Sequence, residues 1–216
     1  MEKLKKHTRV NDILLGPLER PALHWLAAHM PAWVTPDICT GIGFLGALLT
    51  MVSYGLSNYH PGYLWLASLG FIINWFGDSL DGTLARYRHI ERPRYGFYID
   101  HIIDVVCQVM IFLGLGLTPY VSFNIACLAL IGYLLLSILV YVRTYVVGEF
   151  KISYGGLGPT ESRVIAILLN MSMFFFGQQN IVFDQWVFSA YDIFVTGIAL
   201  LLLGFFVSSS VREARR

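Results

Sequence analysis

Six stretches of nearly continuous apolar residues run through the chain, divided by short polar connections, and a seventh region at the start reads differently. A membrane-spanning helix needs about 20 mainly apolar residues. On that measure the pattern predicts spans at 35–57, 61–86, 95–117, 122–147, 160–177 and 187–208. Before them, in Asn11–His29, the apolar residues Ile13, Leu14, Leu18, Trp25 and Leu26 alternate with polar ones. That alternation predicts an amphipathic helix lying in the membrane interface, bent or divided by Pro17 and Pro21.

Composition agrees with this picture. Of 216 residues, 56% are hydrophobic and 13% charged, against about 25% charged in ordinary soluble domains. The chain reads as an all-α integral membrane protein, one six-helix bundle over residues 1–216 with 1–31 as a cytoplasmic or interfacial segment. No n-region, h-region and cleavage site follow one another at the start, so no removable signal peptide is expected. Cys39, Cys107 and Cys127 lie in apolar stretches without paired spacing and read as core residues. A net charge of +1 argues against a nucleic-acid partner.

The basic residues set an orientation. All 15 Lys and Arg residues fall before span one, between spans two and three, around the connection from span four to span five, or after span six. The positive-inside rule then places both termini in the cytoplasm, which requires an even number of spans.

The acids are the anomaly. A charged side chain at the centre of a membrane helix costs about 2.5–3.5 kcal/mol on insertion scales, so such residues usually face a polar cavity. Yet Asp78 and Asp81 close span two, and Asp100 and Asp104 open span three. Asp78 and Asp81 are three apart and share a helix face that continues through Gly82, Ala85 and Arg86. Asp100 and Asp104 are four apart, with Gly96 four before. The short connection makes the two spans antiparallel neighbours, so the four carboxylates converge. Convergent carboxylates repel unless protonated or bridged by cations, and oxygen-only ligands favour Mg²⁺ or Mn²⁺. Gly82 and Ala85 leave room beside the acids for a bulky phosphate compound to approach the backbone.

Asp78-Ser-Leu-Asp81-Gly82-Thr-Leu-Ala85-Arg86 followed by Gly96-Phe-Tyr-Ile-Asp100-His-Ile-Ile-Asp104 resembles the signature of the CDP-alcohol phosphotransferases, DxxDGxxAR and GxxxDxxxD. Every fixed residue is present; the spacer from Arg86 to Gly96 has nine residues where eight is usual, and a polar loop beside Pro93 is expected to absorb the extra one. The resemblance implies attack of an acceptor hydroxyl on the β-phosphorus of a CDP-alcohol, with CMP leaving. It implies two metal ions held by Asp78, Asp81, Asp100 and Asp104, with Asp104 also the general base. Gly82, Ala85 and Gly96 would make space for the nucleotide, and Arg86 would pair with its phosphate or with a ligand carboxylate. A homodimer is implied by the resemblance alone.

Thr35-Pro36-Asp37-Ile-Cys-Thr40 resembles the family's TPNxxT stretch, with Asp for Asn. Thr35 is placed to cap span one, and Thr35 and Asp37 to face the nucleotide. The acceptor side gives two cues. Arg143, Lys151 and Arg163 match basic residues that bind a phosphorylated polar acceptor in relatives using CDP-diacylglycerol, the favoured donor. Gly158-Pro-Thr-Glu161 instead resembles a stretch in aminoalcohol phosphotransferases, which join CDP-choline or CDP-ethanolamine to diacylglycerol. A cation transporter is the alternative of a different class, disfavoured because the acids sit at helix ends beside Arg86 and no paired repeats are visible.

Overall fold

The computed structural model describes residues 8–10, 14–147, 149–151, 158–183 and 186–215. The basic residues Lys3, Lys5 and Lys6 and the Gly155–Leu157 approach to the fifth span lie outside them. Seven helices make up most of the described residues: α1 Gly16–His29, α2 Pro36–Leu56, α3 Tyr63–Tyr87, α4 Pro93–Gly116, α5 Phe123–Val147, α6 Pro159–Phe176 and α7 Ala190–Ala214. Strands β1 Thr8–Val10 and β2 Glu149–Lys151 pair in parallel, and β3 Asn180–Phe183 and β4 Trp186–Ser189 form a hairpin between α6 and α7. The hydropathy pattern gave no sign of these short pairs, which hold too few residues to show a strand period.

Helices α2 to α7 fall on the six apolar stretches. Four of them, α2, α4, α5 and α7, are long and apolar enough to cross a membrane. α3 and α6 carry the polar residues that build the site: Asn74, Asp78, Asp81 and Arg86 on α3, Glu161 and Arg163 on α6. α2 lies between α3 and α4, α4 continues to α5, and α5 packs on α7, while α6 and α1 both lean on α3.

The α2–α3 contact is close because glycines face it. A Cβ on Gly77 would collide with the backbone of Gly43 and Cys39, and one on Gly46 with the backbone of Asn74. The two helices therefore approach backbone to backbone, which fixes Asp78 and Asp81 relative to α2.

α1 is one helix, not divided at its prolines. Pro17 stands in the first turn, where no intrahelical N–H bond is lost, and Pro21 forgoes only the bond to the Pro17 carbonyl. Its inner residues Leu23 and Ala27 pack with Val34, Cys39, Leu80 and Leu84, whereas Leu18 and Trp25 on the opposite side, and Leu14 just before the helix, are exposed. Its C-terminal end is held by Arg88, whose guanidinium donates to the carbonyls of Met30 (2.8 Å), Pro31 (2.9 Å) and Val34 (2.6 Å). Met30 is the C-cap of α1, and a guanidinium is well suited to hold its carbonyl together with those of the turn that follows.

Candidate active site

The two motif helices are not the packed neighbours that their short connection suggested: both lie against α2, and it is their aspartate side chains that meet. α3 ends at Tyr87 and α4 begins at Pro93, so the spacer's middle residues, 88–92, form the loop between them and its last three open α4. One carboxylate oxygen from each of Asp78, Asp100 and Asp104 lies within 4.8 Å of the other two. Unit charges at that distance repel by about 3–4 kcal/mol per pair at an effective dielectric of about 20, so the cluster calls for cations or for a shared proton.

One cation is built in. Arg163 Nη2 donates to Asp78 Oδ2 at 2.6 Å and its Nε to Asn74 Oδ1 at 2.8 Å. Asn74 Nδ2 in turn donates to the Gly43 carbonyl at 2.9 Å, so α6, α3 and α2 are linked through one buried chain. A single guanidinium leaves the three carboxylates in excess. Their oxygen-only donor set fits a hard divalent ion.

Asp81 is arranged differently. It is buried, and its Oδ2 accepts from Thr40 Oγ1 at 2.7 Å while Oδ1 accepts from the Gly82 amide. It lines the same small cleft as the other three, of about 10 Å³, without joining their close oxygen cluster. Thr40 itself also donates to the Pro36 carbonyl at 3.2 Å.

The four acids open onto a cavity of about 1680 Å³. Gly82, Ala85, Arg86 and Gly96 line it; nothing lies within 4 Å of a Cβ built on Gly96, and one on Gly82 would meet only the Arg86 guanidinium, at 3.2 Å. At its mouth Asp37 pairs with Arg92, which lies over the Tyr95 ring at 4.2 Å. Thr35 caps α2, accepting from the Ile38 amide at 3.3 Å, with Pro36 in the first turn. Away from the acids the wall turns apolar, with Ile111 and Phe112 of α4, Leu136 of α5, Leu169 of α6, and Ile198 and Leu202 of α7.

The residues proposed for the acceptor separate. Arg163 lines the cavity. Arg143 pairs with Glu213 at 3.1 Å, tying the end of α5 to the end of α7. Glu161 is buried and caps its own helix at the Gly158 amide (2.9 Å) while accepting from the Leu15 amide (2.8 Å). Lys151 ends strand β2, and its side chain lies outside the described residues. Thr40, Asn74, Glu19 and Arg88 carry contacts to which the sequence reading gave no role. Asn74 had a signal, being an amide in the middle of an apolar span. His101 lies beside Asp100 (3.5 Å) and packs on the Phe97 and Tyr141 rings.

The pattern of the CDP-alcohol phosphatidyltransferase family matches residues 33–208. The chain belongs to this family. Among curated relatives, cholinephosphotransferase 1 of Danio rerio is 27% identical over 182 residues, 80% of this chain and 46% of that protein. Phosphatidylinositol phosphate synthase of Cutibacterium acnes is 36% identical over 92 residues, 42% of this chain and 41% of that protein. Archaetidylinositol phosphate synthase of Pyrococcus horikoshii is 33% identical over 104 residues, 48% of this chain and 52% of that protein. The chain spans about half the length of the curated relatives it matches. The family match covers all of α2 to α6 and most of α7, and with them every motif aspartate.

Proposed function

We propose that the protein transfers a phosphoalcohol group from a CDP-linked donor to an acceptor hydroxyl and releases CMP. The observation that carries this reading is the close cluster of Asp78, Asp100 and Asp104 in a cavity that is polar at one end and apolar at the other. A nucleotide fits the polar mouth, and lipid chains fit the apolar wall.

Asp78, Asp100 and Asp104, with Asp81 beside them, would hold Mg²⁺ or Mn²⁺, two ions in our reading. Bound there, such ions neutralise phosphate charge and orient the attacking and leaving oxygens. The protein groups do the rest. Gly82, Ala85 and Gly96 admit the nucleotide, with Thr35 and Asp37 at the mouth and Arg86 toward its phosphates. Asp104 takes the proton of the acceptor hydroxyl as the new P–O bond forms. The bond to the CMP oxygen breaks, and CMP leaves with its electron pair. Thr40 keeps Asp81 oriented, and Arg163 keeps Asp78 in place.

We take CDP-diacylglycerol as the donor and a polar alcohol as acceptor, with Arg163 the basic residue nearest to it. A second reading, CDP-choline or CDP-ethanolamine with diacylglycerol as acceptor, is favoured by one observation: Arg143 is engaged by Glu213, so the expected basic trio does not line the cavity together. The protein acts in this account as a single membrane domain and a homodimer. Its six spans are α2 to α7, α1 lies in the interface, and the termini and site face the cytoplasm. Assaying CMP release from CDP-diacylglycerol, CDP-choline and CDP-ethanolamine against a panel of acceptors tests it. Release from one donor class with one acceptor supports the reading; cation flux without CMP release from any donor sinks it.

A further inference from the structure

α1 walls one side of the cavity through Glu19, Arg20, Leu23 and His24, and the chemistry above gives it no task. One atom there gathers an unusual set of donors. Glu19 Oε1 accepts from Trp75 Nε1 at 2.8 Å, Ser79 Oγ at 3.1 Å and Thr160 Oγ1 at 2.9 Å. Trp75 and Ser79 belong to α3 on either side of Asp78, while Thr160 belongs to the first turn of α6, three residues before Arg163. The next links between the same two helices are both made by Arg163, the ion pair with Asp78 at 2.6 Å and the hydrogen bond to Asn74 at 2.8 Å. A second tie runs beside the first, from the Leu15 amide at the start of α1 to the Glu161 carboxylate on α6.

We propose that Glu19 is a positioning residue for the transfer reaction: it holds the first turn of α6 against α3, so that Arg163 meets Asp78 in the carboxylate cluster. An arginine side chain is long, and where its guanidinium falls follows from where its helix starts. The α6 start bears on α3 through Thr160 and Arg163, and the Thr160 hydroxyl reaches α3 only by way of the Glu19 oxygen. A shift of about 1 Å there would carry the Arg163–Asp78 contact out of hydrogen-bonding range. Glu19 touches no reacting atom in this account; it acts through α6.

The inference rests on the proposed transfer reaction, and its test keeps the two apart. Full-length protein in lipid nanodiscs is assayed for CMP release with Mn²⁺ as wild type, E19A, E19Q, T160V, R163Q and E19A/R163Q. E19A and T160V should lower kcat by at least about tenfold while the donor KM stays within about threefold, since misplacement of about 1 Å can cost up to about a hundredfold in rate. E19Q, whose amide oxygen still accepts, should recover to within about threefold of wild type. On the R163Q background, E19A should add less than about twofold, because the contact it positions is already gone. A full additional loss there, or an E19Q as impaired as E19A, overturns the proposal. T160V removes a hydroxyl at constant shape and carries the test where E19A fails to fold. Where R163Q turns over too slowly, Mn²⁺ affinity by electron paramagnetic resonance replaces turnover. E19A and R163Q must then shift it alike, and unlike shifts overturn the proposal. A wild type that binds Mn²⁺ but releases no CMP refutes the transfer reading, and the Mn²⁺ titrations still decide the role of Glu19.

Discussion

Gly77 sits where α3 presses on α2, one residue before Asp78. A Cβ at this position would collide with the Gly43 amide and the Cys39 carbonyl and lie 2.6 Å from Gly43 Cα. Carbon atoms rest at about 3.5–4.0 Å, so Gly77→Ala requires the helices to part by about 1 Å. The same separation takes the Thr40–Asp81 hydrogen bond from 2.7 Å to about 3.7 Å, beyond the usual limit of about 3.0 Å for a hydroxyl donor. Overpacking of this kind costs about 1–3 kcal/mol, and losing a hydrogen bond to a charged group costs about 1.5–3 kcal/mol. Thermal unfolding of the purified variant in detergent should show the combined loss, and initial rates of CMP release should fall by as much as about a hundredfold. Gly55 is the control. Nothing lies within 4 Å of a Cβ built there, so Gly55→Ala should be neutral or stabilising by up to about 1 kcal/mol. A Gly77→Ala protein with wild-type midpoint and rate would refute the claim that close α2–α3 packing sets the site.

Asp104→Asn should abolish turnover while binding of a CDP-linked donor largely survives; near-normal transfer of a radiolabelled group would remove Asp104 as the base. Thr40→Val keeps shape and removes the hydroxyl that orients Asp81, so kcat should fall by about tenfold and stability by the same amount, about 1.5–3 kcal/mol, that the bond to a charged group carries; an unaltered rate would mean that Asp81 needs no such support. Arg88→Met keeps the apolar stem and removes the clamp on Met30, Pro31 and Val34, at a cost of about 1.5–3 kcal/mol. Amide exchange in the second half of α1 and in residues 30–34 should quicken, and unchanged protection there would show that the clamp is idle.

Much of this arrangement was readable from the chain because it is written in local spacing. Apolar runs gave α2 to α7, and i,i+3 and i,i+4 aspartates on two adjacent helices could converge only if those helices are antiparallel. Longer-range pairings were not readable. Nothing near Arg163 in sequence indicates that it reaches Asp78, 85 residues away. Glu161 looked like a substrate contact because a Gly-Pro-Thr-Glu stretch and a helix-capping glutamate are the same residues, and only the fold joins it to the amide of Leu15. Arg143 stands near the end of α5, and its pairing with Glu213 depends on how α7 returns along α5. Pro21 by itself favours a bend or break in α1, yet packing of Leu23 and Ala27 against α2 and α3 outweighs one missing hydrogen bond.

The central claim is that the Asp78, Asp100 and Asp104 cluster works through divalent cations to release CMP. It is tested most directly by stripping purified protein in nanodiscs with EDTA, supplying CDP-linked donors with acceptor alcohols, and following CMP as Mn²⁺ is titrated back. The account predicts release that is absent in EDTA, saturates with Mn²⁺, and is lost in Asp78→Asn and Asp100→Asn. CMP release that persists in EDTA, or that survives both substitutions at the wild-type rate, would contradict it.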